Sequence, residues 1–129
     1  MSYYISTSVD GGFDVVVDRV IAALKDQGFG VLSDIDIAAT MKAKLDKDLR
    51  PYRILGACNP GFAFKALQAE DKIGVMLPCN VIVQQREDGR IEVSAVDPAA
   101  SMQAVENPAL ADLAGDVKAM LAKMIQSLN

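Results

Sequence analysis

The 129-residue chain contains no histidine and no tryptophan, and only two cysteines. Without imidazole, Ser-His-Asp and Cys-His catalysis are excluded, because both need a side chain that exchanges a proton near neutrality. A closed structural zinc site is disfavoured, since only two thiols and no imidazole are available for its four ligand positions. Neither a Cys-x-x-Cys pair nor a Walker phosphate loop occurs. Gly28-Phe29-Gly30 falls between a predicted helix and a predicted strand, the reverse of the dinucleotide-binding order, and reads as a helix stop and a turn. The most apolar stretch, Ile73 to Val83, is interrupted by Gly74, Pro78 and Asn80. It is far shorter than the ~20 residues that a membrane helix needs. The start, Met1 to Ser8, lacks the basic and apolar regions of a secretory signal, so the expected location is cytoplasmic, where the thiols stay reduced.

What is present is apolar and mildly acidic. With 51% hydrophobic residues, the chain can bury a core without disulfides or metal, and residues 1–129 are expected to form one domain. Thirteen Lys and Arg against seventeen Asp and Glu give a net charge of -4 and a pI near 4.7. That field repels nucleic acid and anionic lipid, so neither is an expected partner. The one locally basic segment, Lys42 to Arg53, reads as a solvated helix face and loop.

Along the chain, Ser2 to Val9 is rich in strand-forming residues and ends at Gly11-Gly12. Phe13, Val16, Val17, Val20, Ile21 and Leu24 recur at helical spacing until Gly28. Phe29 to Ile37 turns to period two, with Val31, Ile35 and Ile37 on one face and Leu32, Asp34 and Asp36 on the other. Asp36 can then cap a short helix from Ala38 to Leu45. Tyr52 to Cys58 is a third strand, followed by Asn59-Pro60 as cap and first turn of a helix reaching Ala69. Ile73 to Gln85 reads as a long strand broken at Pro78, where the chain changes direction. Asp88-Gly89 signals a two-residue hairpin into Arg90 to Val96. Asp97 to Glu106 reads as a loop. Asn107-Pro108 repeats the cap signature before a helix whose apolar stripe runs through Leu110, Leu113, Val117, Leu121, Met124 and Leu128. The methionines follow the helical spacing and read as core filling.

The chemistry concentrates in two fragments, Gly56-Ala57-Cys58-Asn59-Pro60 and Leu77-Pro78-Cys79-Asn80. Each sets a thiol beside an asparagine where backbone pairing is interrupted. Cys58 directly precedes a helix N-terminus, whose dipole stabilises anions, which makes it the better nucleophile candidate of the two. The alternative is that both cysteines are small buried hydrophobes beside capping asparagines. Were the thiols within reach of each other, a reversible disulfide, a two-coordinate Cu(I) site or a thiol-lined ligand pocket would each follow. Asp34 and Asp36 share a strand face and suit acid/base work or a hard cation, or simply an edge strand with Asp36 as a cap. Tyr52 and Arg53 are expected to contribute to that region.

The fragments Gly28 to Asp36, Pro51 to Pro60, Leu77 to Asn80 and Val96-Asp97-Pro98, in that order, resemble the domain of unknown function 302 family. The resemblance runs from about Tyr4 to the final helix, and the two Cys-Asn fragments make it specific. It implies an α+β fold, a curved, mainly antiparallel sheet of about five strands with helices against it, similar to TATA-binding-protein-like folds, often as a homodimer. It implies no reaction.

Three functions are consistent with these features. The first is a small-molecule or soft-metal binding or sensing domain, framed by Cys58, Asn59, Cys79 and Asn80, with Asp34, Asp36 and Tyr52 contributing. The second is a thiol-dependent redox enzyme in which Cys58 attacks and Cys79 resolves. The third is a dimeric interaction module without chemistry of its own.

Overall fold

The structure, a computed structural model, describes residues 2–129. Five strands form one antiparallel sheet in the order β1-β5-β4-β3-β2. They are β1 (Tyr4–Val9), β2 (Gly30–Asp36), β3 (Tyr52–Cys58), β4 (Cys79–Gln85) and β5 (Ile91–Val96). Five helices accompany them: α1 (Phe13–Asp26), α2 (Ile37–Leu45), α3 (Pro60–Ala69), α4 (Pro98–Ser101) and α5 (Pro108–Ser127). This is an α+β fold.

Alternation along the central strands sends Leu55, Ala57, Val81, Val83, Val93 and Ala95 to one side, and all six are fully enclosed. The apolar stripes of α1 (Val16, Val17, Val20 and Leu24) and α5 (Val117, Leu121, Met124 and Ile125) cover that side and complete the main core. Burial of these branched side chains, at about 1.5–3 kcal/mol each, outweighs the modest helix propensity of the valines in α1. A smaller apolar cluster of Ala66, Ile73 and Leu110 lies beyond it, supported by Leu77, Met102 and Leu113. The opposite sheet face holds a groove that, among the described residues, no helical side chain lines; it includes Tyr4, Tyr52, Asn80, Ile82 and Gln84.

The helix starts follow from their caps. Asp36 Oδ1 accepts from the Ala39 amide at 2.9 Å, so α2 begins at Ile37. Asn59 and Asn107 cap α3 and α5, each followed by Pro at the first helical position. That proline forfeits only an amide that would be unpaired in any case. Gly28, at φ +85°, ends α1, and a Cβ there would lie 3.1 Å from Asn59 Nδ2, so the site end of α3 packs closely on this turn.

Four expectations change. The stretch from Ile73 to Gln85 is not one strand: Ile73–Met76 forms a 3-10 turn, the Leu77-Pro78 peptide is cis, and β4 begins only at Cys79. The loop after β5 contains α4, because Asp97 Oδ1 accepts from the amides of Ala99 and Ala100 and Pro98 takes the first helical position. The hairpin between β4 and β5 is longer than two residues, since Arg86 donates to the Arg90 carbonyl and leaves Glu87, Asp88 and Gly89 as the loop. In β2 a bulge separates Val31, opposite Ala57, from Ser33, opposite Gly56. Leu32 is the extra residue, and beyond it the faces exchange, so Asp34 lies opposite Leu55 on the same side as Val31.

Gly56 is fixed by this packing. A Cβ at that position would stand 2.3 Å from Ser33 Oγ and 2.8 Å from Pro78 Cγ. The residue without a side chain lets β2 and the Pro78 ring close over β3 just before Cys58.

Candidate functional site

The ends of β2, β3 and β4 meet α3, α4 and α5 around one cavity of about 310 Å³. It lies at the seam between the two apolar clusters. Phe29, Ala57, Phe62 and Val117 reach it from the main core, and Ala66, Leu77, Met102 and Leu113 from the smaller one. Both cysteines and Asn59 complete the wall near the strand ends. Among the described residues, no charged side chain lines the cavity, and Asn59 is the only lining residue with a side-chain nitrogen or oxygen.

The two thiols share the cavity wall where β3 leaves the sheet and β4 enters it. Ala57 stands opposite Cys79 across the β3–β4 ladder, and Cys58 is the next residue along β3. Both cysteines are half-buried and neither is in a disulfide. Cys79 packs against the main core, and its thiol is pushed up to about 11, first by burial and then by the adjacent Cys58. Asn59 leaves the strand and turns into α3, with its Oδ1 accepting from the Phe62 amide at 3.4 Å. The peptide from Cys58 to Asn59 thus joins a thiol to the positive end of a ten-residue helix at the cavity wall.

The remaining candidates lie elsewhere. Asn80 follows Cys79 within a regular strand and stands opposite Gly56, so alternation turns it to the uncovered sheet face, where it lines the groove with Tyr52. Asp34 is held by Arg53 through Nε at 2.7 Å and through Nη2, and this ion pair lowers its carboxyl below the usual range. Asp36 spends its side chain on the α2 cap. Among the described residues, no group of three or more His, Cys, Asp or Glu side chains is placed to hold a metal ion. In the basic segment, Lys42 pairs with Asp46 and Asp48 at the surface.

Sequence reasoning missed the helical half of the wall. Pro98 and Met102 belong to a segment read as a loop, although Asp97-Pro98 carries the same cap-and-proline signature as Asn59-Pro60 and Asn107-Pro108.

The family model described as "Domain of unknown function DUF302" matches residues 5–128. The chain belongs to the DUF302 family. Among solved structures, the DUF302 chain is similar to the crystal structure of the uncharacterized conserved protein DUF302 from Bacillus stearothermophilus, with 26% identity, a TM-score of 0.93 and coverage of 100% of both chains. No curated protein matches it. Among the described residues, no helix is long and apolar enough to cross a membrane.

The Cys79 environment makes a pH prediction. Because folding raises this thiol above its unfolded value, the folded state holds the proton longer, and the associated stability is present at neutral pH and lost as pH rises toward about 11. In a Cys58→Ser variant, which keeps the burial but removes the neighbouring thiol, iodoacetamide labelling of Cys79, followed by peptide mass spectrometry, is expected to stay slow at pH 8 and to accelerate only above the ordinary thiol range. A labelling midpoint near the ordinary thiol value of about 8.5 contradicts the buried assignment.

Proposed function

We propose that this DUF302 chain binds an uncharged, mainly apolar small molecule in the cavity at the β3–β4 strand ends. The observation that carries the reading is the wall itself: about 310 Å³ bounded by hydrocarbon, two thiols and one amide, with no ionic group. That volume is about twice the ~150 Å³ that accommodates benzene in an apolar protein cavity. Charged ligands would lose hydration there without compensation, whereas an apolar ligand regains dispersion contacts and sheds its own exposed surface. Burial of roughly 200 Å² at about 25 cal/mol per Å² yields on the order of 5 kcal/mol before the costs of association. Soft-metal binding is the weaker reading, because a bis-thiolate complex would place negative charge against an apolar wall.

A homodimer is part of the proposal. β2 forms one sheet edge, and Leu32 and Ile35 on it are exposed by 71% and 45%. An unpaired edge carrying apolar side chains favours pairing with a second copy of the chain.

Titration with N-phenyl-naphthylamine, whose emission rises in apolar surroundings, is expected to show one saturable site with Kd on the order of 0.1–1 mM. Ala66→Phe and Ala63→Leu, which fill the cavity from α3, are expected to weaken binding at least ~5-fold while retaining the wild-type circular dichroism. Unchanged affinity in folded variants of both kinds contradicts the site. In sedimentation equilibrium the dimer predicts twice the 13.8 kDa chain mass, and the chain mass alone contradicts it.

A further inference from the structure

The three tyrosines of the chain, Tyr3, Tyr4 and Tyr52, all line one groove, and it lies on the sheet face away from the thiol cavity. The groove measures about 550 Å³. Along its floor, Ile82 and Val96 alternate with Asn80, Gln84 and Ser94. Tyr52, Gln84 and Glu92 form one cross-strand row, and Tyr4 and Val96 belong to another. From Glu92 to Val96 along β5 the two rows are roughly 13 Å apart, long enough for a fused ring system and one polar head group.

One end of the groove is cationic. Arg50 and Arg86 line it with a single carboxylate, Glu92, which leaves an excess positive charge there in a chain whose net charge is -4. A buried amide arranges these groups. Gln84, 8% exposed, accepts from Arg50 Nη2 at 2.9 Å through Oε1 and donates from Nε2 to Glu92 Oε1 at 3.3 Å. Glu92 Oε1 also pairs with Arg86 Nη1 at 3.2 Å. Arg86 is thereby neutralised, whereas Arg50 makes no ion pair among the described residues. The Gln85 amide donates to the Pro51 carbonyl at 3.0 Å, which ties the segment carrying Arg50 to β4. A guanidinium presents a fork of N–H donors, of which Gln84 engages Nη2. Glu87 and Asp88 share an adjoining hollow with the two arginines, but both are exposed on the hairpin, where water and salt screen them.

From this juxtaposition we infer that the groove binds an aromatic monocarboxylate, with the carboxylate on Arg50 and the ring system along Ile82 toward the Tyr3–Tyr4 pair. The planar fork of Arg50 matches a carboxylate in a way that a point charge does not. A single excess charge suits a monoanion, since the second charge of a phosphate monoester would face Glu92. The body of the ligand is aromatic because the groove gathers every phenol of the chain, and Tyr3 and Tyr4 already meet edge to face with ring centroids 5.1 Å apart. This site is separate from the thiol cavity, and the inference does not depend on what that cavity binds.

Titration of the isotope-labelled chain with naphthoate, followed in amide proton–nitrogen correlation spectra, reads affinity and location together. The expected result is a saturable shift of the Gln84 and Asn80 side-chain amides and of the Ile82 and Ser94 backbone amides. Arg50→Gln should weaken binding at least ~10-fold, and Arg50→Lys, which keeps the charge and loses the fork, about threefold. Arg50 is exposed, so both variants are expected to keep the fold, which the same spectra verify. Ala66→Phe, which fills the thiol cavity, should leave naphthoate binding unchanged. Naphthamide, the uncharged analogue, should bind at least ~10-fold more weakly than naphthoate. Equal binding of the two, or wild-type affinity in folded Arg50→Gln, overturns carboxylate recognition. Shifts confined to Ala57, Phe62 and Ala66 overturn the groove as the site. Naphthyl phosphate binding more tightly than naphthoate overturns the monoanion assignment. No saturable shift up to about 10 mM naphthoate overturns the inference as a whole.

Discussion

The pairing of Ala57 with Cys79 across the β3–β4 ladder is the contact on which the site depends. It brings the end of β3 and the start of β4 to one level, where both cysteines line the cavity. It also directs the chain from Cys58 into α3 and receives the chain from Pro78. Gly56 permits this arrangement, because any side chain there would meet Ser33 and the Pro78 ring. A slip of one residue in the register would send Cys79 to the uncovered face and dissolve the thiol pair.

The cavity follows from how the apolar residues divide. α1 and the C-terminal half of α5 close over the centre of the sheet, and large side chains such as Leu24, Leu55 and Leu121 pack there without exposure. Beyond the strand ends, α3, the Ile73–Met76 turn and the start of α5 gather a second cluster around Ala66, Ile73 and Leu110. Small residues stand where the clusters approach: Ala57 on β3, Ala63 and Ala66 on α3, and Ala114 on α5. Larger side chains at those positions would merge the two clusters into one core. With alanines, the seam remains open.

Much of this was legible in the residues, and the exceptions have specific causes. Tyr52–Cys58 and Pro60–Ala69 form a strand and a helix with the bounds their patterns imply, because period-two burial and an Asn-Pro cap are both local signals. The exchange of faces in β2 was not legible, since a bulge at Leu32 depends on the neighbouring strand. Asn80 resembles Asn59 in standing directly after a cysteine, yet the two follow their cysteines differently. Asn59 leaves its strand and stays at the cavity, whereas Asn80 is inside a strand, where the next residue must face the other way. Asp34 and Asp36 looked like paired carboxylates because spacing shows a shared face and not a partner. Arg53 and the α2 amides answer them.

The central claim is that an apolar, ligand-sized space exists beside the two thiols. Xenon, which enters dry apolar cavities and is directly visible in diffraction, tests that claim without assuming any ligand. A crystal of the protein pressurised with xenon is expected to show ordered xenon between Ala66, Met102 and the cysteine sulfurs. A well-ordered crystal with no xenon there, and with α3 and α5 closed onto each other across Ala66 and Ala114, would contradict it.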